Sequence, residues 1–254
     1  MIGAWAFRRE LARWSAAGRS LPLWWRDDDA REPDPALDRL LGLAHRHGAP
    51  LTLAVIPDGD RSALGARLAL EHQVGERPVS VIQHGVDHFN VSPAGAPSTE
   101  FEAHCTRYQM AGRLVAARSR IAGLPGFVPV FAPPWNAVHP DLPTALLAGG
   151  FIGLSAQGDG DGKPVGLPRM NVHLDLMRWR GGARFRGADA FLARAARLAR
   201  ARRRTGRWDQ PIGLLTHHLD HDEAAWRFLD RFLGQTTQSG AVRWLGIGDL
   251  AAAG

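Results

Sequence analysis

Residues 21–30 read LPLWWRDDDA, an apolar run that ends in three consecutive aspartates. Leu21 to Asp28, which begins with five apolar residues, is predicted to form a buried strand. Three adjacent carboxylates at the end of such a strand repel one another and are costly to desolvate. A bound cation would remove that cost, so this strand end is a candidate site.

Short apolar runs continue along the chain and alternate with segments of helical spacing. Further strands are predicted at residues 51–56, 79–83, 127–131, 151–155, 212–216 and 242–245, and helices at 4–17, 62–71, 100–120, 140–148, 188–204 and 224–233. Apolar strands that alternate with helices are typical of parallel strands covered by helices. No linker-like segment or internal repeat divides the sequence. We therefore predict an α/β fold in a single domain over residues 1–254, a parallel β/α barrel or a closely related layered sheet.

The composition excludes several classes of protein. The hydrophobic fraction of 45% and the charged fraction of 22% are ordinary for a globular enzyme. Cys105 is the only cysteine, so neither an intrachain disulfide nor a cysteine-based zinc site can form. The net charge of +6 comes almost entirely from arginine, because Lys163 is the only lysine. We interpret this as a compositional bias and predict no nucleic-acid partner.

The first ten residues lack an apolar segment typical of a signal peptide, and no apolar run approaches the roughly 18–20 residues of a membrane span. These features predict a cytoplasmic protein without stable membrane insertion. The sequence does not indicate an oligomeric state.

Polar motifs follow several of the predicted strands. His84 and His88 come after residues 79–83, the run Pro-Pro-Trp at 133–135 follows residues 127–131, and His217 with His218 follows residues 212–216. Parallel α/β folds place their active sites at the carboxyl ends of the strands. Two imidazoles and a carboxylate, with one position left open, are the ligands of a catalytic zinc or a similar divalent ion. The pattern therefore predicts metal-assisted hydrolysis.

Each motif alone also has a purely structural explanation. Histidines four apart occur by chance, an aspartate at a strand end can cap the next helix, and Pro-Pro-Trp can be a rigid loop. The joint occurrence of all the motifs at strand ends favours the functional interpretation.

These residues resemble the motifs of the polysaccharide deacetylases, the carbohydrate esterase group that includes chitooligosaccharide and peptidoglycan deacetylases. The family's Thr-Phe-Asp-Asp-Gly is matched loosely by residues 26–30, and its His-(Ser/Thr)-x-x-His by residues 84–88. Its Phe-Arg-Pro-Pro-Tyr is similar to residues 131–135, and its Leu-x-His to residues 215–217. Asp175, followed by Trp179, is the candidate for the remaining motif. The resemblance spans roughly residues 20–220 and implies the distorted parallel β/α barrel of that family.

The resemblance also implies roles for individual residues. It makes Asp28 the general base, Asp175 a further catalytic carboxylate and His217 the general acid. The implied metal ligands are Asp29, His84 and His88, and the metal is expected to be zinc, with cobalt, manganese or nickel as alternatives. Trp135, Pro134 and Arg26 are the candidates for substrate binding, and the backbone N–H of Trp135 would hold the oxyanion.

Some assignments stay open at this point. Asp27 and Asp28, rather than Asp28 and Asp29, could be base and ligand. His218 and His221 are alternatives to His217 as the acid, although we expect His221 to lie at the surface.

The sequence departs from the family pattern at two positions. Gly85 stands where the family's His-(Ser/Thr)-x-x-His has a hydroxyl residue, and Ala132 stands where its Phe-Arg-Pro-Pro-Tyr has an arginine. In the family that arginine pairs with the base. Since side chains two apart on a strand share a face, we expect Arg26 to supply the missing cation to Asp28.

The prediction that follows is a metal-dependent hydrolase that removes an acyl group, most simply acetyl, from an N-acylated carbohydrate, with a small-molecule or oligosaccharide substrate. The alternatives are a metal-dependent amidase for a small non-sugar amide and a catalytically degenerate carbohydrate-binding relative. The arginine-rich helix at 188–204 is predicted to expose most of its arginines to solvent.

Overall fold

The computed structural model describes residues 2–74, 79–159 and 166–252, so part of the loop predicted at 157–168 lies outside the described residues. The chain forms two compact units. The first unit comprises residues 1–27, 35–51 and 172–246, and the second comprises residues 28–34, 52–171 and 247–254. In the described part of the chain, no helix combines the length and the apolar character needed to cross a membrane.

The first unit is built around parallel strands. Its helices are α1 (Ile2–Ala16), α2 (Pro35–His47), α6 (Ala188–Arg204) and α7 (Glu223–Thr237), and its strands are most of β1 (Leu21–Ala30), β6 (Leu174–Asp175), β7 (Met177–Arg178), β8 (Arg184–Phe185), β9 (Ile212–Thr216) and β10 (Val242–Leu245). Strand β1 pairs in parallel with β10 and with β9, and β9 pairs in parallel with β6. The short strands β7 and β8 form a separate antiparallel pair.

The second unit has the same alternation of strands and helices. Its elements are β2 (Thr52–Val55), α3 (Ser62–Val74), β3 (Ser80–His84), α4 (Arg107–Arg118), β4 (Phe127–Ala132), α5 (Leu142–Ala148), β5 (Gly153–Leu154) and α8 (Ile247–Ala252). Strands β2, β3, β4 and β5 pair in parallel in that order. The end of β1 belongs to this unit, where the Ala30 carbonyl accepts a hydrogen bond of 3.0 Å from the Ile56 N–H.

Apolar side chains fill both units. Trp24 and Trp25 on β1 are fully buried, and the Trp25 indole donates a hydrogen bond of 2.8 Å to the Thr216 hydroxyl on β9. In the second unit, Phe131 and Phe151 meet edge to face at 6.1 Å within a cluster of buried residues. The predicted parallel strands with covering helices, and thus the α/β class, are confirmed.

One expectation about the helices needs correction. The helix predicted at 100–120 begins only at Arg107, because Thr106 caps it in a reciprocal capping box with Gln109. Glu100 therefore lies in a loop. In α6, Arg197, Arg200 and Arg204 are exposed, as expected of this helix, whereas Arg202 is buried with its guanidinium 3.1 Å from the His173 ring. Arg203 is half-buried and forms an ion pair with Glu10.

Candidate metal centre and catalytic residues

The second unit brings together three side chains that can hold a metal ion. Asp29 lies at the end of β1, His84 ends β3, and His88 follows four residues later. The Nε2 atoms of both histidines lie 3.2 Å from Oδ1 of Asp29. One ligand atom from each residue lies within 4.8 Å of the others. One carboxylate oxygen and two imidazole nitrogens so close together are the donor set that a divalent ion takes, so these residues fit a metal.

The backbone at this centre is locally strained. Asp29 has a φ of 73° and His88 a φ of 60°, both in the left-handed region that non-glycine residues rarely adopt. Such conformations persist only where surrounding contacts hold them, and they cluster at functional sites. The strain therefore agrees with a functional role for both residues.

The orientation of the His84 ring is fixed by the neighbouring strand. Its Nδ1–H donates a hydrogen bond of 3.0 Å to the carbonyl of Ala132, and the side chain is 2% exposed. With the proton on Nδ1, Nε2 carries the free lone pair. This atom faces Oδ1 of Asp29, where a metal ion would be held. A second partner of this kind is the usual companion of a metal-binding histidine.

The Pro-Pro-Trp motif forms a kinked turn beside His88. Trp135 and Asn136 have φ values of 53° and 55°, and the Trp135 ring lies 4.6 Å from the His88 ring. Trp135 is 41% exposed, whereas Pro134 is buried. Of the predicted substrate-binding residues in this unit, Trp135 therefore offers an accessible aromatic surface next to His88.

Sequence reasoning missed Glu100. This residue is 2% exposed, and its carboxylate accepts hydrogen bonds from the backbone N–H groups of Val86 at 3.0 Å, Asp87 at 3.1 Å and His88 at 2.5 Å. Burial raises the pKa of Glu100, although these hydrogen bonds favour the charged form. Gly85, in place of a larger side chain, was the sequence feature that could have indicated a neighbouring group. Glu100 was not recognised as that group because a helix was predicted from residue 100.

In the first unit, Asp27 is committed to a buried network. It lies opposite Thr216 in the parallel register of β1 and β9. Its carboxylate accepts hydrogen bonds from the Thr216 hydroxyl at 2.6 Å, from the backbone N–H of His218 at 3.1 Å and from Nδ1 of His218 at 2.5 Å. Burial opposes ionisation, but His218 and Thr216 hold the pKa of Asp27 below its ordinary value. This network favours Asp28 and Asp29 over Asp27 as base and ligand.

His217 lies beside Trp179, which follows Asp175, the candidate for the remaining family motif. Its ring meets the Trp179 ring edge to face at 4.5 Å. The Trp179 indole donates a hydrogen bond of 2.9 Å to Asp175, which also accepts one of 2.8 Å from the backbone N–H of Met177. Burial raises the pKa of Asp175, and the nearby His217 counteracts that shift. His217 and Asp175 thus interact electrostatically, as an acid and its partner carboxylate would.

The two alternative acids are placed differently from His217. His218 is 1% exposed and hydrogen-bonded to Asp27. His221 was expected at the surface, which is wrong, since both ring nitrogens are buried and lack hydrogen-bond partners among the described residues. Burial lowers the pKa of His221 to about 4. His221 is therefore neutral near pH 7 and a poor proton donor there.

The remaining predicted residues of β1 are buried. Asp28 is 2% exposed and Arg26 is fully inaccessible. Charged side chains are seldom fully buried. Because both are buried here, neither Arg26 nor Asp28 is an ordinary charged residue of the solvated surface.

Comparison with known proteins identifies the fold. No protein-family model and no curated protein sequence matches the chain. Among solved structures, the chain is similar to a candidate polysaccharide deacetylase from Mycobacterium smegmatis, with 18% identity over 93% of this chain and 90% of that one and a TM-score of 0.62. The fold is that of the polysaccharide deacetylases, as the motifs predicted, and the chain is a divergent example of it.

Two further similar structures carry more specific descriptions. A family 4 acetyl xylan esterase from Clostridium thermocellum, solved with a cobalt ion, has 14% identity, coverage of 91% of both chains and a TM-score of 0.56. A peptidoglycan N-acetylglucosamine deacetylase has 12% identity, coverage of 93% of this chain and 94% of that one and a TM-score of 0.55. The structures that this fold resembles are therefore carbohydrate esterases and deacetylases.

Proposed function

We propose that this chain is a metal-dependent hydrolase that removes an acyl group, in the simplest case acetyl, from an N-acylated carbohydrate. The observation that carries the proposal is the cluster of Asp29, His84 and His88, in which one carboxylate oxygen faces both imidazoles at 3.2 Å. The cobalt ion of the similar esterase supports a divalent metal here, and zinc is the proposed ion because it accepts this ligand set.

The chain's own residues divide the remaining work. An ion held by the three ligands would act as a Lewis acid and bring the pKa of its water to about 7. Asp28 accepts the proton of the attacking water as general base. The backbone N–H of Trp135 donates to the oxyanion of the tetrahedral intermediate. His217, oriented by its contact with Trp179, gives a proton to the leaving nitrogen, and Asp175 stabilises the charged imidazole.

Substrate recognition is assigned to the residues around the ligands. The exposed face of Trp135 fits the apolar face of a sugar ring, and Pro134 fixes the turn that presents it. Arg26 is the proposed replacement for the arginine that Ala132 does not supply, since it is the cation two residues before Asp28 on the same strand.

Metal content and acyl release test this function together. We expect one divalent ion per purified chain, lost in His84→Ala and in His88→Ala, with acetate release from N-acetylated oligosaccharides abolished in both. His104→Ala is the matched control, because His104 is an exposed histidine of the same unit. Full metal occupancy in the His84 and His88 variants would refute the site.

The same assays separate the alternatives. Metal binding with hydrolysis of small acylated amines, but not of sugars, would assign the chain to the small-amide amidases. Metal and sugar binding without any turnover would make it a degenerate binding relative.

A further inference from the structure

The loop of residues 84–88 carries two of the three proposed ligands, and a side chain from outside the loop holds its backbone. Glu100 accepts hydrogen bonds from three successive N–H groups of this loop, the last being that of His88. A buried carboxylate that accepts three backbone hydrogen bonds fixes the positions of the donors relative to one another. A single residue that is not a ligand thus fixes the backbone from which His88 extends.

Gly85 and Glu100 fit together sterically. A Cβ atom at position 85 would lie 2.5 Å and 2.6 Å from the two oxygens of Glu100 and 2.6 Å from Cγ of Pro134. Gly85 also has a φ of 71°, which favours glycine. The Glu100 carboxylate therefore occupies the space that a side chain at position 85 would need, which accounts for the departure from the family motif.

We propose that Glu100 is a positioning residue of the metal centre and does the work of the side chain that is missing at position 85. His88 has the left-handed φ of 60°, which a non-glycine residue keeps only while other contacts enforce it. The hydrogen bonds that the loop N–H groups donate to Glu100 enforce it and so hold Nε2 of His88 near Oδ1 of Asp29. The inference rests on the proposed function only in treating His84 and His88 as ligands.

Metal affinity is the first test. The metal-free chain is titrated with Zn²⁺ against a competing chelator, for the wild type and for Glu100→Gln. We expect the variant to bind the ion about 10- to 100-fold more weakly, the usual effect of removing a partner that orients a ligand. Glu102→Gln is the matched control, because Glu102 is 42% exposed and pairs with Arg113 at 3.7 Å. An affinity within twofold of wild type in Glu100→Gln would overturn the proposal.

Amide hydrogen exchange of the metal-free chain gives a second, independent reading. Glu100→Gln should accelerate exchange at Val86, Asp87 and His88 and leave the amides of β4 protected. Loss of protection throughout the second unit would show a general structural role and would overturn the proposal. This comparison stands even if the wild type binds no metal or releases no acyl group, results that would instead contradict the proposed function.

A double variant tests the steric link between Gly85 and Glu100. Gly85→Ser alone should weaken Zn²⁺ binding strongly, because its Cβ meets the carboxylate. In a Glu100→Ala background the same substitution should cause a smaller further loss, since only the contact with Pro134 and the positive φ of position 85 then oppose it. Equal losses in both backgrounds would contradict the coupling.

Discussion

Replacing Asp27 with alanine is expected to destabilise the fold rather than to remove the metal. Asp27 is fully buried and accepts three hydrogen bonds, two of them from His218 and one from Thr216. The variant removes the acceptor that Asp27 provides to two buried N–H groups of His218, and each such hydrogen bond is worth about 1–3 kcal/mol. This agrees with the roughly 3–5 kcal/mol lost when one partner of a buried ion pair is removed.

Thermal unfolding followed by circular dichroism measures this loss. Each kcal/mol shifts Tm by about 2–4 °C in chains of this size, so a decrease of about 6–20 °C is expected. Asp29→Ala is the matched control from the same triplet, because its side chain is 27% exposed and its proposed role is metal binding. An Asp27→Ala variant with unchanged Tm, or one that folds stably but no longer binds metal, would refute the assignment.

The pH dependence of stability gives a further check on Asp27. Its pKa is lower in the folded chain than in the unfolded one. The carboxylate therefore contributes stability above its unfolded value of about 3.9, and that contribution is lost as the pH falls through the folded value. The free energy of unfolding, measured with urea between pH 5 and pH 2, should fall less steeply with decreasing pH in Asp27→Asn than in wild type. An equally steep fall would contradict the buried pair as its source.

Further predictions concern single side chains. In wild type the free energy of unfolding should fall by about 3 kcal/mol between pH 6.5 and pH 4, because the folded pKa of His221, about 4, lies below the ordinary 6.5. His221→Leu should remove this loss. Urea midpoints at pH 7 and pH 4.5 measure it, and an unchanged pH dependence would refute the prediction. Asp28→Asn should keep its metal but lose about 10²–10⁴-fold in kcat, as expected for a general base, and near-normal turnover would exclude that role. Trp135→Ala should raise KM for oligosaccharides more than for a short acylated sugar, and an equal rise for both would argue against a stacking platform. Arg26→Ala should alter the pH profile of kcat/KM, and an untouched profile would exclude Arg26 as the partner of the base.

The sequence was sufficient to predict the alternation of strands and helices and the residues at the strand ends. The runs 212–216 and 242–245 coincide with β9 and β10. β9 is buried along its whole length, and in β10 the exposed Arg243 lies between the buried Val242 and Trp244, and both patterns indicate strands. The same reasoning could not assign separate roles to Asp27, Asp28 and Asp29. Their division depends on register, since Asp27 lies opposite Thr216 on β9, and side-chain pairing between distant strands leaves no local signal.

Glu100 shows why a departure from a motif is informative. A helix was predicted from residue 100 on the spacing of its apolar residues. Helical spacing does not reveal that the capping box of Thr106 and Gln109 determines where the helix begins. The glycine at position 85, however, was visible as an exception within His84–His88. A glycine that replaces a side chain inside a ligand loop implies that another group occupies the vacated space. In this fold that group is a buried carboxylate twelve residues beyond His88, and it binds the backbone of the loop. The exception in the second motif is therefore compatible with an intact metal centre.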